Sequence, residues 1–132
     1  MKSASDRTAP PLHLDDLADL LLDAICMVDA EGRFLATRGA CEAIFGYRPE
    51  EMIGHSATEF IQPSDLDSTR AEMRLARGGH QTRNFDCAYV GKTGEVVPLA
   101  WMGVWSDPEQ QHFFIGRDMR ERLRLEQKLA QA

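Results

Sequence analysis

The chain has 132 residues, with 15 Lys and Arg against 21 Asp and Glu, which gives a formal net charge of −6. Its composition, 43% hydrophobic and 27% charged, is that of one globular domain with a single core and leaves little room for a two-domain enzyme. The acidic balance argues against sequence-independent binding of nucleic acids and against anionic membranes, since both depend on Lys and Arg facing phosphate.

Neither a membrane span nor a signal peptide is evident in the sequence. No apolar run approaches the roughly 20 residues that cross a bilayer, and residues 1–11 lack the apolar stretch of a secretion signal. Cys26, Cys41 and Cys87 are widely spaced and form no C-x-x-C pair. We therefore expect a cytoplasmic protein, or the cytoplasmic part of a larger one, whose cysteines are reduced, buried hydrophobes, with a redox switch as the alternative.

The first third of the chain predicts a helix followed by a hairpin. Residues 1–13 are polar, with Ser, Thr and two adjacent Pro, and predict a disordered leader. Residues 14–24 repeat Leu and Ala at helical spacing with Asp on the opposite face, which predicts a short amphipathic helix. Residues 25–29 and 34–37 are apolar runs, and the Gly-containing turn between them predicts that they pair as two strands.

Three helices are predicted in the middle of the chain. Residues 38–45 can form a helix that Gly46 would cap at its C-terminus. The segment 49–54 has Pro at its start and Gly at its end, which is typical of a helix of one or two turns. A third helix begins at Pro63 and reaches the glycine pair 78–79.

The period then changes from helix to strand. Residues 80–90, 96–105 and 112–115 are strand candidates joined by short turns, which predicts an antiparallel meander. From residue 119 onwards the chain has no Gly, Pro or β-branched residue and predicts a helix. Five strands with the helices grouped between them indicate an α+β fold built on one antiparallel sheet.

Four segments in this order resemble the PAS domain, the sensory-box family. They are ICMVDAEGRFLATRGACEAIFGY at 25–47, RPEEMIGHSATEFIQPSDL at 48–66, GKTGEVVPLAWMGVW at 91–105 and IGRDMRERLRLEQKL at 115–129. The resemblance implies a five-stranded antiparallel sheet that cups the middle helices around an interior pocket. It places the PAS domain at 25–118 and a C-terminal signalling helix at 119–132.

The cofactors known for this family can each be compared with the residues. Flavin photochemistry in the LOV subfamily needs a Cys in the segment that corresponds to 54–62, which has none. Haem-binding members usually hold the iron with a His on the long middle helix, but residues 63–78 contain no His, and Met73 alone is rarely an axial ligand. His80 follows that helix and is expected at the surface. Haem and a LOV-type flavin adduct are therefore disfavoured, and the cofactor stays unknown.

A zinc site is not expected either, because zinc ligands come in closely spaced pairs. The histidines are instead scattered singly at His13, His55, His80 and His112. What remains is a flavin held without a covalent bond, a small metabolite or an empty pocket.

Strand alternation divides residues 96–105 into two faces. One face carries Val97, Leu99, Trp101 and Gly103, and the resemblance turns it inward. Trp101 then either lines the pocket or fills it, and a filled core is the more common outcome in so small a domain. The candidate pocket residues are Met27, Phe45, Met73, Phe85, Leu99, Trp101 and Ile115.

The two ends of the domain carry the expected coupling and dimer contacts. Arg117 and Asp118 occupy the step at which the family passes its signal from the sheet to the last helix, and the alternative role is a helix cap alone. Leu125 and Leu129 share one face of that helix, which we expect to continue as a parallel coiled coil into an output domain. Apolar surface left on the first helix suggests that a homodimer forms through both terminal helices, and the alternative is that the first helix packs back on its own sheet.

The sequence therefore predicts a sensory module that binds a small ligand and regulates an attached histidine kinase or diguanylate cyclase. The alternative is a ligand-free dimerisation module with a filled core. An enzyme is not expected, since the chain lacks a G-x-S-x-G elbow, a P-loop, a dinucleotide fingerprint and an H-E-x-x-H pair. Nucleic acid and membrane are not expected partners.

Overall fold

The computed structural model describes residues 22–80 and 82–132, the side chains of residues 82–84 excepted. Five strands form one antiparallel sheet and two short ones pair separately. The strands are β1 (Ala24–Asp29), β2 (Phe34–Gly39), β3 (Thr82–Asp86), β4 (Tyr89–Val90), β5 (Val96–Val97), β6 (Leu99–Ser106) and β7 (Gln111–Asp118). The helices are α1 (Cys41–Phe45), α2 (Pro49–Met52), α3 (Leu66–Arg77) and α4 (Arg120–Gln131), with 3₁₀ turns at Ala57–Glu59 and Pro63–Asp65.

The strand order in the sheet is β2-β1-β7-β6-β3, so the first and last strands lie side by side near its centre. The segment between β2 and β3 carries α1, α2 and α3, which lie on one face of the sheet. The predicted α+β fold with one five-stranded antiparallel sheet is confirmed. Within the described residues, no helix combines the length and the hydrophobicity needed to cross a bilayer.

Two of the predicted strands are each divided in the structure. The segment predicted at 80–90 forms β3 and β4, and the segment at 96–105 forms β5 and β6 on either side of Pro98. Proline has no N–H for a sheet ladder, so the strand changes partners there. The short strands β4 and β5 pair with each other as a separate ribbon beside the sheet.

The helix boundaries also differ from the predicted ones. The helix predicted at 38–45 begins only at Cys41, because residues 37–39 still pair with β1. It ends as predicted at Gly46, whose left-handed backbone (φ 80°) lets its N–H bond the Glu42 carbonyl. The helix predicted at 14–24 lies largely outside the described residues, and of its last positions Ala24 opens β1.

The predicted alternation along 96–105 is confirmed. Val97, Leu99 and Trp101 are at most 3% exposed, whereas Val96 and Met102 are about half exposed, at 47% and 52%. The inward face therefore packs under the helices and the outward face does not. This places Trp101 in the centre of the domain.

Met27 and Ile115 were predicted to lie in the interior, but in the structure they do not. Met27 pairs with Phe113, and Ile115 pairs with Ile25 and Met102, so all of them share the outer face of the sheet. The prediction was wrong because β1 and β7 are apolar on both faces, and a period of two then gives no sign of which face is inward. The inward residues of β7 are those that alternate with Phe113 and Ile115 along the strand, among them His112 and Phe114.

Candidate functional site

A cavity of about 310 Å³ lies between α3 and the inner face of the sheet. The hairpin between β1 and β2 and the 3₁₀ turn at Ala57–Glu59 form its rim. This volume is at the lower end of the range of roughly 300–1,000 Å³ that is typical of small-molecule sites. The cavity can therefore hold a compact ligand.

The deep wall of the cavity is apolar and aromatic. It is built from side chains of α3 and of four strands: Met73, Phe85, Tyr89, Trp101 and Phe114. Because apolar atoms dominate this wall, it favours an apolar ligand body over a polar one.

Trp101 is held in place as part of this wall. Its indole N–H donates to the Cys87 carbonyl at 3.0 Å, and its ring packs against Tyr89 with the centroids 5.3 Å apart. Behind it, a Cβ added to Gly116 would lie 2.6 Å from the indole ring. The glycine lets the indole lie against the sheet, and space remains in front of it.

The predicted pocket residues fall into three groups. Met73, Phe85 and Trp101 line the cavity. Phe45 and Leu99 are buried in the adjoining core but do not line it, and Met27 and Ile115 lie on the other face of the sheet. A role of any of them in ligand binding stays a prediction.

His112 lines the cavity and was not among the predicted residues. It is 2% exposed, its ring stacks on Phe114, and its Nε2 lies 3.4 Å from Nη1 of Arg77. Because an arginine can only donate, Nε2 is the acceptor and the proton resides on Nδ1. Nδ1 has no hydrogen-bond partner.

Burial, together with the nearby Arg77 charge, lowers the pKa of His112 to about 4. The imidazole is therefore neutral at physiological pH, and the positive charge at this end of the cavity comes from arginine. A His inside an apolar strand, two residues before an inward Phe, was the available sequence signal.

Three arginines of α3 also border the cavity, at positions 70, 74 and 77. This spacing puts them in one row along the helix. The row lies beside the inward residues Thr69 and Met73. The sequence analysis did not predict that these arginines border a cavity, because charged residues beside the inward face of a helix usually just point into solvent.

The cysteines are free and buried, as expected from the sequence. Cys26 and Cys41 lie with their sulfur atoms 3.9 Å apart. Burial raises the pKa of Cys87, which borders the cavity, to about 11, so it remains a thiol at neutral pH. Within the described part of the chain, no three His, Cys, Asp or Glu side chains are grouped as metal ligands would be.

A second polar cluster lies where β7 leads into α4. Asp118 accepts hydrogen bonds from the Arg120 backbone N–H at 2.9 Å and from its guanidinium at 2.7 Å. The same guanidinium reaches the carboxylate of Glu95, next to β5, and the Met119 N–H donates to the Pro98 carbonyl. These contacts fasten the start of α4 to the β4–β5 ribbon.

The electrostatics of this cluster stabilise its charges. Burial alone would raise the pKa of Asp118, but the hydrogen bonds from Arg120 hold it below its usual value. Of the two residues predicted to couple sheet and helix, Asp118 belongs to the cluster. Arg117 is exposed instead and faces Asp23 at 3.6 Å.

Residues 18–124 match the sequence profile of the family described as "PAS fold". No curated protein sequence matches the chain. Among solved structures, the PAS domain of an HTR-like protein from Haloarcula marismortui is 21% identical, with a TM-score of 0.69 over 80% of this chain and 88% of that chain.

Two further structures are similar in fold. A domain of a sensory box sensor histidine kinase/response regulator from Geobacter sulfurreducens has a TM-score of 0.66 and 22% identity, covering 77% of this chain and 88% of that chain. The PAS domain of the RpfR quorum-sensing receptor from Cronobacter turicensis has a TM-score of 0.62 and 18% identity, covering 74% of this chain and 93% of that chain. With the family profile covering most of the sequence and the sheet order and cavity described above, the chain belongs to the PAS domain family.

Proposed function

We propose that this PAS domain is a sensory module that binds a small molecule in the cavity between α3 and the sheet and passes the bound state to an attached output domain through α4. The observation that carries the proposal is the cavity, because Trp101 forms its wall and leaves its volume open. The likeness in fold to the RpfR domain, which was solved in complex with BDSF and with C12:0, supports a small-molecule ligand for this domain.

The route from cavity to helix follows one strand. β7 carries Phe114 into the cavity and ends at Asp118, two residues before α4 begins. Gly116, which contacts Trp101 closely, lies between them. A ligand that displaces the indole therefore presses on the strand that holds the first turn of α4, and the Asp118–Arg120 contact is the proposed coupling element.

For the output we propose a histidine kinase or a diguanylate cyclase in the cytoplasm, with the sensor acting as a homodimer through its terminal helices. The Geobacter domain comes from a sensor histidine kinase/response regulator, which supports the first of these outputs. No catalytic role is assigned to this chain itself. The N-terminal half of the proposed dimer contact lies outside the described residues.

A second candidate function is a ligand-free interaction module. It is favoured by the outer face of the sheet, where Met102 and Val104 are 52% and 47% exposed. An exposed apolar face of this kind can bind a partner without any ligand in the cavity.

The indole signals of the two tryptophans separate these functions. Protein labelled with ¹⁵N should show one indole N–H signal from Trp101 in the cavity wall and one from Trp105, whose N–H faces Asp107 at the exposed turn. Adding a library of small-molecule fragments in pools should shift the Trp101 signal more than the Trp105 signal, because Trp105 meets the cavity only through its packing on His112. If no pool moves Trp101, the ligand-binding function is wrong and the interaction module is favoured.

The coupling step needs its own readout. A fragment that moves the Trp101 signal should also change the backbone amide signals of residues 118–122, because β7 links the two regions. The Asp118→Asn variant is the matched test, since it keeps the size of the side chain and removes its charge. Amide signals in α4 that respond equally in the variant would contradict the proposed coupling element.

A further inference from the structure

One side of the cavity presents arginine side chains whose charge is poorly matched by the protein. Arg70 faces Asp67 at 3.6 Å on the exposed surface of α3. Arg74 and Arg77 form no ion pair within the described residues. An arginine row that forms few ion pairs beside a cavity produces a local positive field, which attracts an anion even though the overall charge of the protein is negative.

Two acidic residues also border the cavity. Asp29 borders the cavity, but its carboxylate accepts the backbone N–H groups of Glu31 and Arg33 at 2.9 Å and so holds the hairpin turn. Glu31 also borders the cavity and is exposed, with no ion pair to the arginine row in the described structure. Within the described residues, neither carboxylate forms an ion pair with the arginine row.

The exposed Arg77 and the buried His112 both offer hydrogen-bond donors to the cavity. Arg77 has five N–H donors and uses one of them on Nε2 of His112. This contact consumes the only acceptor of the neutral imidazole, and the Nδ1–H of the same ring, in a residue only 2% exposed, has no partner. What the site lacks is a group with several acceptor atoms and a negative charge.

The deep wall of the cavity has a different chemistry. Met73, Phe85 and Trp101 line it with apolar surface, and the thiol of Cys87 there is uncharged. A ligand that satisfies both ends has an acidic head and an apolar body. A carboxylate suits the head because its two oxygens match the planar fork of a guanidinium.

Building on the function proposed above, we infer that the ligand is a small apolar monocarboxylate whose carboxylate lies at Arg74 and Arg77 and whose body lies against Trp101. At about 310 Å³, the cavity limits the body to a short chain or one ring. The arginines select a negatively charged head group, and the aromatic wall selects an apolar body.

The test compares ligands that differ only in the charge of the head. Octanoate, octanol and octylammonium form one series, and phenylpropionate, phenylpropanol and phenylpropylammonium form a second with a ring as the body. Binding is measured by calorimetry, and the Trp101 indole signal shows that each ligand enters the cavity. In at least one series we expect the carboxylate to bind about tenfold or more tightly than the alcohol, and the ammonium least of all.

Variants then locate the head group. Arg74→Gln and Arg77→Gln should each remove most of the preference for carboxylate and leave the affinity for the alcohol unchanged. Arg122→Gln is the matched control, because it changes the charge equally on α4, away from the cavity. Thermal unfolding of each variant checks that the fold is kept.

The outcomes separate this inference from the proposed function. If the alcohols move the Trp101 signal and bind as tightly as the carboxylates, the carboxylate assignment is wrong while the cavity remains a ligand site. A carboxylate preference that survives in both arginine variants also overturns the assignment. If no compound of either series moves Trp101, the inference fails, and the fragment screen described above decides separately whether the cavity binds any ligand.

Discussion

At the scale of single residues, His112 makes the stability of the domain depend on pH. Its pKa is about 4 in the folded protein and near 6.5 in an unfolded chain. As the pH falls from about 6.5 to about 4, the unfolded state takes up the proton first, so the free energy of unfolding decreases. Below about 4 both states are protonated and this residue causes no further loss.

We expect this effect to reach about 3 kcal/mol at most between pH 7 and pH 4. Urea unfolding of the wild type and of His112→Gln measures it, because the variant should be less sensitive to pH over this window. Acidic groups such as Asp118 affect both proteins equally and cancel in the difference. His80→Gln, at an exposed position, is the control and should keep the wild-type dependence; equal slopes for wild type and His112→Gln would show that burial of the ring is not responsible.

Gly116 is the residue that lets Trp101 lie against the sheet. A methyl group there would meet the indole ring at 2.6–2.8 Å, so Gly116→Ala should destabilise the domain by about 1–3 kcal/mol and move the ring into the cavity. Denaturant unfolding measures the first effect, and the Trp101 indole signal measures the second. The double variant Gly116→Ala with Trp101→Leu should lose less unfolding free energy than the sum of the losses in the two single variants. If the losses simply add, the contact between the methyl group and the indole is not the cause.

At the scale of elements, the first turn of α4 depends on Arg120. This side chain joins Asp118 to Glu95 and is partly buried, with 27% of it exposed. Replacing it with Met should cost about 1–2 kcal/mol, because a partly buried carboxylate loses its charge-assisted hydrogen bonds. Hydrogen exchange of the amides at the start of α4 should become faster.

Arg124→Met provides the comparison for that experiment. Arg124 lies one turn further along α4, where its guanidinium donates to the Arg120 carbonyl at 3.5 Å and acts on Asp118 only as a nearby charge, without a hydrogen bond to it. Exchange at the start of α4 should therefore stay close to the wild-type rate. If both variants loosen the helix equally, general helix stability and not the cluster holds α4 in place.

Elements with one clear apolar face were predictable from the sequence, and elements with two were not. Along 96–105 the alternation gave the inward residues correctly, because Val97, Leu99 and Trp101 face helices while the other side faces solvent. In β1 and β7 both faces are apolar, so Met27 and Ile115 were assigned to the wrong one. Whether an outer face is covered or faces solvent depends on the rest of the fold, so the sequence of one strand alone does not show it.

The candidate site was less predictable than the fold for a similar reason. The cavity depends on long-range packing of α3 over the sheet, and the indole and aromatic side chains could equally have filled it. No sequence pattern marks the arginine row and His112 as a site, because they come together only through the contact between Arg77 and His112, which lies 35 positions later in the chain.

At the scale of the whole molecule, α4 is fastened to the domain at its first turn, and no other described element covers the rest of it. None of its residues is buried, and Leu125 and Leu129 are 53% and 77% exposed. An isolated helix of about 12 residues is only marginally stable in water, because most helical stability in proteins comes from packing of an apolar face. A second copy of the same helix would supply that packing and agree with the proposed parallel dimer.

This dimer can be tested by adding charge to one face of α4. Lysine at both leucine positions, Leu125→Lys with Leu129→Lys, should weaken self-association about tenfold or more, because each substitution removes apolar contact and places like charges opposite each other. Sedimentation equilibrium over a range of concentrations measures the dissociation constant. Gln127→Lys with Gln131→Lys has the same spacing and the same change in charge on a different face, so it should associate as the wild type does. If both double variants associate equally, the contact does not run along the leucine face, and a wild type that stays monomeric at every concentration would exclude α4 as the dimer element of this chain.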